Sequence, residues 1–251
     1  MVRNLVVRDL KVRHRGTALG MLWSLVTPMA MLATYTVIFT VVFKSDLRDR
    51  DYPFVLYLFA GLVVWNLFSA IMTTTTSSVI AGSPFLRKLY FPRIILPIVA
   101  VISSIVTFAF EFAVFLAFAL AYGVWPSVTY LAMIPVLLGV ILMAFGVGTL
   151  LAVATVYLRD IPHFLGIILQ LGFFATPIVY LTTQFADGSR FLNAIQLNPM
   201  YYVVVAFRES VLDHTWPSAP YLMMPIAIGL VTSVAGFSVF QRAQRRFAEL
   251  V

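Results

Sequence analysis

Glu111 is the one charged residue that falls deep inside an apolar stretch of this chain, with charge-free runs on both sides. A carboxylate at mid-bilayer costs at least about 2.5 kcal/mol on insertion scales, so it must face a partner, face a polar cavity, or hold a proton. Proton coupling would need a second intramembrane carboxylate, and none is in view, so a paired structural residue is the preferred reading. The three histidines are equally sparse. His14 lies in a basic leader and His163 at a helix entrance, both interfacial by position; His214, next to Asp213, is too isolated to argue a metal site. No G-x-S-x-G motif, carboxylate cluster or helically spaced His pair supports an intramembrane hydrolase or glycosyltransferase. No glycine is followed by lysine, so the phosphate-cradling G-x-x-x-x-G-K-[ST] loop is missing. Any ATP that drives this protein is bound by another chain.

The elements that must hold these residues are set by solvent. Hydrophobic residues make up 61% of the 251 positions and charged ones 11%, with a mean hydropathy of +0.97. A soluble domain holds about 45–50% apolar residues. Gly16 to Phe43, Tyr52 to Leu86, Phe112 to Leu158 and Thr215 to Gln241 contain no charge at all, and about 20 apolar residues span a bilayer core. The expected fold is therefore an all-α integral membrane protein, one permease domain over 1–251, with about six transmembrane helices. The spans are predicted near Leu22–Phe43, Phe54–Val79, two within Ile94–Leu158 divided at Gly123-Val124-Trp125-Pro126, Phe164–Thr183 and Tyr221–Phe240. The first run is too long for a cleaved signal and reads as a retained anchor. Cysteine is absent, which removes disulfides and thiolate ligands.

Between and before the spans lie three amphiphilic segments. Residues 1–20 carry Arg3, Arg8, Lys11, Arg13 and Arg15 among apolar side chains, as an interface helix or as a plain basic flank. The segment 184–219 is not uniformly polar. Its Met200–Leu212 stretch is too short to cross, so re-entrant or interfacial helices are expected around Asn198-Pro199. The loop 80–93 reads Ser83-Pro84-Phe85-Leu86-Arg87-Lys88-Leu89-Tyr90-Phe91-Pro92, a short helix started by Ser-Pro and ended by Pro92. It suits docking in a groove of a soluble partner, or lying on headgroups. Arg3, Arg8, Lys11, Arg13, Arg15, Arg87, Lys88, Arg93, Arg159, Arg242, Arg245 and Arg246 fall on the side of both termini, against Lys44, Arg48, Arg50, Arg190 and Arg208 on the other. That bias puts both termini in the cytoplasm. The net charge of +7 is then a topology signal with an affinity for anionic lipid, not a nucleic-acid footprint.

Two sets of side chains are candidates for lining a passage. The hydroxyl run Thr73 to Ser78 serves helix packing or a pore, with packing preferred. Aromatic residues are 15% of the chain, and ring faces meet the C–H faces of sugars without fixing one hydrogen-bond pattern. Tyr35, Phe39, Trp65, Phe173, Phe174 and Tyr180 are the candidates, the competing role being lipid-facing anchors.

Four segments in this order resemble one family. Arg13-His14-Arg15-Gly16-Thr17-Ala18-Leu19-Gly20-Met21-Leu22-Trp23 with Pro28 is similar to the opening of ABC-2 permeases that export O-antigen polysaccharide and teichoic acid. Phe85-Leu86-Arg87-Lys88 through Phe91-Pro92 to Leu96-Pro97, Tyr157-Leu158-Arg159-Asp160-Ile161 with Thr176-Pro177-Ile178, and Leu197-Asn198-Pro199-Met200 with Arg208 agree with it. The resemblance covers nearly the whole chain. It implies a half-transporter that pairs with itself and with two copies of a separate ATPase carrying Mg-ATP, this chain holding no cofactor or metal. It further implies that Ser83 to Pro92 is the coupling helix, that Arg8, Lys11, Arg13 and Arg15 lie beside it, and that Arg159 and Asp160 face the same partner. Asn198, Pro199 and Arg208 would belong to an extracytoplasmic gate. The implied cargo is a lipid-linked polysaccharide, its diphosphate met by basic groups at the inner boundary. A drug or lipid exporter of the same fold is the alternative. An ion-coupled transporter would need internal repeats and more intramembrane charge than this sequence has.

Overall fold

The computed structural model describes residues 5–8, 23–38, 52–82, 92–181, 189–244 and 247, and among them every regular element is a helix. In chain order these are α1 (Trp23–Val37), α2 (Phe54–Ala81), α3 (Ile95–Ala121), a 3-10 turn (Val128–Ala132) leading into α4 (Met133–Tyr157), α5 (Ile161–Phe174), α6 (Arg190–Gln196), α7 (Pro199–Val211) and α8 (Ala219–Ala243). Residues 5–8 are also helical, with Val6 buried and Arg8 exposed. The expectations for Lys11, Arg13, Arg15, Phe39 and Ser83 to Phe91 lie outside the described residues.

Among the described residues four helices are long and apolar enough to cross a membrane: α2, α3, α4 with its 3-10 turn, and α8. The turn expected at Gly123-Val124-Trp125-Pro126 is present. Gly123 has φ +82, a left-handed conformation that costs glycine little, and Ser127 caps the next turn by accepting from the Thr129 amide at 3.3 Å. The expected fifth span differs. Its helix stops at Phe174 instead of running on to Thr183, because Pro177 lacks an N–H and disfavours helical geometry at Thr176 before it. At 1.5 Å per residue, α5 is about 21 Å long, short of an apolar core of about 30 Å. Between 184 and 219 the chain forms α6 and α7, started by Ser189 and Asn198 as caps.

The core is organised around α2, which packs on α1, α3, α4, α5 and α7. Along its first half, from Phe54 to Trp65, every residue except Val55 is buried. Its neighbour α3 runs antiparallel, with Asn66 opposite Glu111 and Thr74 opposite Ser104. The most extensive contact in the molecule joins α4 to α8, and glycine makes it possible. A Cβ on Gly139 would come within 2.8 Å of Pro225, and one on Gly229 within 2.7 Å of Leu142. One on Gly146 would strike the backbone of Thr232 and Ser233, and one on Gly236 the backbone of Gly146. These glycines recur at seven-residue spacing on both helices, the period that keeps one seam facing its partner. Their pairing ascends together in number, so α4 and α8 run parallel. The chain between them must therefore return to its starting side through α5 and the residues that follow it.

Replacing Gly146 with Leu should force α8 off α4 and cost about 1–3 kcal/mol, the penalty for overpacking. Gly166→Leu is the control, since no atom lies within 4 Å of its would-be Cβ. Thermal unfolding of the detergent-purified protein should show a lower midpoint for the first variant alone; equal midpoints would remove the glycine seam as a determinant of the fold.

Candidate functional site

Where α5 breaks, its terminal carbonyls need donors, and in a membrane-embedded chain non-helical backbone is tolerated only when buried in protein. Thr176 to Val179 are all buried. The donors come from α7 and α2. Arg208, 4% exposed, donates through Nη1 to the Pro177 carbonyl at 2.6 Å, through Nη2 to Ile178 at 2.8 Å and through Nε to Tyr57 at 3.0 Å. Its guanidinium carbon lies 3.5 Å from the centroid of the Tyr57 ring, a cation–π placement. The Tyr57 hydroxyl in turn donates to the Tyr180 carbonyl at 3.1 Å. A planar fork serving three carbonyls in three directions is a task lysine cannot perform.

That approach requires Gly61. A Cβ there would lie 2.6 Å from Nη2 of Arg208 and 3.2 Å from Ile178, so the glycine leaves the space the guanidinium fills. The other end of α7 grips the same break. Asn198 caps the helix by accepting from the Met200 amide at 3.0 Å, while its Nδ2 donates to Thr176 Oγ1 at 2.8 Å and to the Ala175 carbonyl at 3.3 Å. Pro199 occupies the first helical turn, where a missing N–H costs nothing. Beside Arg208, Phe207 is fully buried between Phe112 and Phe115 of α3, with ring centroids at 6.3 Å from each. At the far end the Ser210 and Val211 carbonyls accept from the Thr129 and Tyr130 hydroxyls at 2.7 and 3.0 Å. Asn198 and Arg208, at the two ends of α7, thus converge on Ala175 to Ile178, with Pro199 next to the first of them.

The aromatic candidates divide. Phe173 stacks on Tyr35 at 5.6 Å, meets Trp65 edge-on at 6.0 Å and Phe174 at 5.2 Å, so α1, α2 and α5 share one aromatic cluster. Trp65 and Phe173 are buried at 7% and 8%, whereas Phe174 is 54% exposed. Tyr180, packed against the same core, accepts at its carbonyl from the Tyr57 hydroxyl. Glu111, 7% exposed, has a partner on α2: Asn66 Nδ2 donates to its Oε2 at 3.1 Å. Arg159 and Asp160 are exposed in the short turn between α4 and α5, next to exposed Tyr157 and Leu158.

The ABC-2 type transporter family matches residues 2–212. The chain belongs to that family. The O-antigen export system permease protein RfbA of Myxococcus xanthus is 31% identical over 251 residues, covering 99% of this chain and 94% of that protein. An RfbA permease of Klebsiella pneumoniae is 28% identical over 249 residues, covering 97% of this chain and 92% of its own length. A second Klebsiella pneumoniae RfbA is 28% identical over 245 residues with the same coverage. This chain is accordingly a multi-pass membrane permease of the ABC-2 type, not itself an enzyme.

Three partners within this ABC-2 permease escape the sequence pattern: Tyr57, Gly61 and Asn66. Gly61 carried a usable signal, as the only glycine in the 28 residues of α2. Tyr57 and Asn66 carried none, because a carbonyl acceptor and a carboxamide partner are chosen by packing.

Substituting Arg208 by Lys leaves at least one buried carbonyl without a donor, at about 1–3 kcal/mol for each group lost. Gly61→Val displaces the same guanidinium. The two changes together should destabilise the purified permease by less than their sum, because one contact is removed in both. Strict additivity in thermal or denaturant unfolding would mean that Gly61 does not serve Arg208.

Proposed function

We propose that this chain is the transmembrane subunit of an ATP-binding-cassette exporter that moves a lipid-linked polysaccharide across a bacterial cytoplasmic membrane. The observation that carries this reading is full-length similarity to permeases named for O-antigen export, at 31% identity over 99% of the chain. The residues that make up its motif, Thr176-Pro177-Ile178, Asn198-Pro199 and Arg208, meeting at the α5 break add a structural reason for their joint occurrence.

The topology in this reading is six crossings with both termini in the cytoplasm. The parallel course of α4 and α8 supports it, since the return between them supplies a fifth crossing through α5 and 175–181. The excess of Lys and Arg on the side of the termini supports the orientation. In this arrangement α6 and α7 form a re-entrant outer cap, and the Arg208 fork ties the end of the fifth crossing to α2 as the outer gate.

The functional unit is a homodimer, because one six-helix bundle has no wide pore and two copies about a two-fold axis line one between them. The face of α5 supports a protein contact there. Only Leu165, Leu169 and Phe173 of this helix are buried, while Phe164, Ile167, Ile168, Leu171 and Phe174 are exposed at 54% or more. The carboxamide Gln170 is exposed on the same helix. Two copies of an ATPase bind Mg-ATP, which this chain cannot, and push on the helix Ser83 to Pro92, with Arg159 and Asp160 at the same boundary. The exposed pair Tyr157 and Leu158 gives that boundary an apolar component. The sugar-facing aromatics would be Tyr35, Phe39, Trp65, Phe173 and Phe174, with Tyr180 at the gate.

Depleting this chain in its native host should trap lipid-linked glycan on the inner leaflet, and an ATPase should co-purify with it at equal stoichiometry. Accumulation of a drug or an unglycosylated lipid instead would replace the cargo and leave the class. Phe85→Asp and Leu89→Asp should abolish export while the ATPase stays soluble and active; full export by both would reject the coupling helix.

A further inference from the structure

α3 packs chiefly on α2, and α8 chiefly on α4. Between α3 and α8 runs a cavity of about 390 Å³ lined by Ile94, Ile98, Val101, Ile102, Phe145 and Phe237. The first four recur at the spacing of one helix face, so the cavity is a groove that follows α3 for about 12 Å. Its side is open, where Ile98 and Phe237 are 37% and 46% exposed, and Val101 is buried in its depth. The volume falls in the range of about 300–1,000 Å³ that holds a small ligand.

Every lining residue is apolar. Water held in a cavity needs about two to four polar partners, and these side chains offer none. A void left empty forfeits dispersion contacts all along its wall. An alkyl chain is the filling that a bilayer supplies.

The groove begins beside a cation. Arg93 directly precedes Ile94 and is half-buried, with Nη1 shielded from solvent and without a hydrogen-bond partner. A guanidinium with an unmet donor next to hydrocarbon is costly, and an anion at the mouth of the groove offsets that cost. The sequence on both walls has the matching sign. Residues 52–110 and 214–248, which hold α2, α3 and α8, carry Arg87, Lys88, Arg93, Arg242, Arg245 and Arg246 and no Asp or Glu. A second copy of the chain would bring the same cations to the contact, because a two-fold interface sets like patch against like patch. Charge therefore selects a lipid over a protein here.

We infer that this groove is a binding site for one anionic glycerophospholipid, an acyl chain lying along Ile94 to Ile102 and the phosphate meeting Arg93. Basic pockets between spans recognise anionic head groups in this way, by charge at the boundary and apolar surface behind it. The lipid rests on the groove and its charges; only its leaflet, the cytoplasmic one, rests on the topology proposed above.

The full chain, purified in mild detergent, would be mixed with phosphatidylglycerol or phosphatidylcholine of the same acyl chains and weighed by native mass spectrometry. Each copy should hold one phosphatidylglycerol, preferred over phosphatidylcholine by about fivefold or more, the worth of one basic group at a charged lipid surface. Arg93→Gln should lose that preference. Ile98→Trp, which fills the groove, should lose both lipids, while Val231→Trp, on the open face of α8 at 71% exposure, should match the native chain. Equal uptake of the two lipids by the native chain overturns the anionic head group, and undiminished phosphatidylglycerol in Ile98→Trp overturns the groove. An isoprenoid diphosphate carried by protein from cells making the glycan, and displaced by Ile98→Trp, overturns the phospholipid. None of these readouts uses export, so the site can fail while the exporter reading stands.

Discussion

A guanidinium buried among apolar helices is costly unless each of its donors is met, and a helix broken inside a bilayer is costly unless each of its carbonyls is met. In this protein each requirement answers the other. Arg208 supplies donors to Pro177 and Ile178 and takes Tyr57 as a third acceptor, so the two liabilities become one joint. The joint ties α7, α2 and the end of α5 together. Gly61, Tyr57 and Asn198 are all explained by it: the first makes room, the second stacks on the cation, the third holds the break from its other side.

Around that joint the helices pack by two different means. On one side α4 and α8 approach through glycine until backbone touches backbone at Gly146, with Pro225 and Leu142 set against Gly139 and Gly229. On the other, α2, α3 and α7 are held apart by interlocking rings, Phe59 meeting Phe115 edge-on at 5.6 Å and Phe115 facing Phe207. Without a solvent-driven force between helices in lipid, close van der Waals contact and interhelical hydrogen bonds must supply cohesion. Backbone contact gives a rigid pair, and ring packing gives a core that fills irregular gaps between helices of unequal length. The short α5 is held along only Leu165, Leu169 and Phe173, and most of its surface is left for something outside the subunit.

Polar groups are placed with the same economy. Most intrahelical hydroxyls return their proton to a carbonyl one turn back, as Thr149, Thr155 and Ser210 do at 2.6 to 2.7 Å, which lets them sit in apolar surroundings. On α2, Thr73 and Thr74 follow the same rule, returning their protons to the Ser69 and Ala70 carbonyls at 2.8 and 2.6 Å. α2 is enclosed from Leu56 to Trp65, and beyond it Asn66, Ser69, Thr73 and Ser77 are only partly covered.

The class of this protein was legible without coordinates, because solvent selects composition. Long charge-free runs can only be helices in lipid, the turn at Gly123 to Pro126 is a property of local backbone chemistry, and the missing Gly-Lys pair rules out an ATP-cradling loop whatever the fold. The Asn198-Pro199 cap and the need for a partner at Glu111 were legible for the same local reasons. What only tertiary structure decided is which groups answer which needs. The fifth helix ends at Phe174 because Pro177 forbids its continuation, yet the break survives because an arginine thirty positions away reaches it. Asn66 became the partner of Glu111, and Thr74 of the hydroxyl run that of Ser104, through the register of two antiparallel helices. Such pairings depend on distances between elements, and periodicity along one chain carries no information about the space between two.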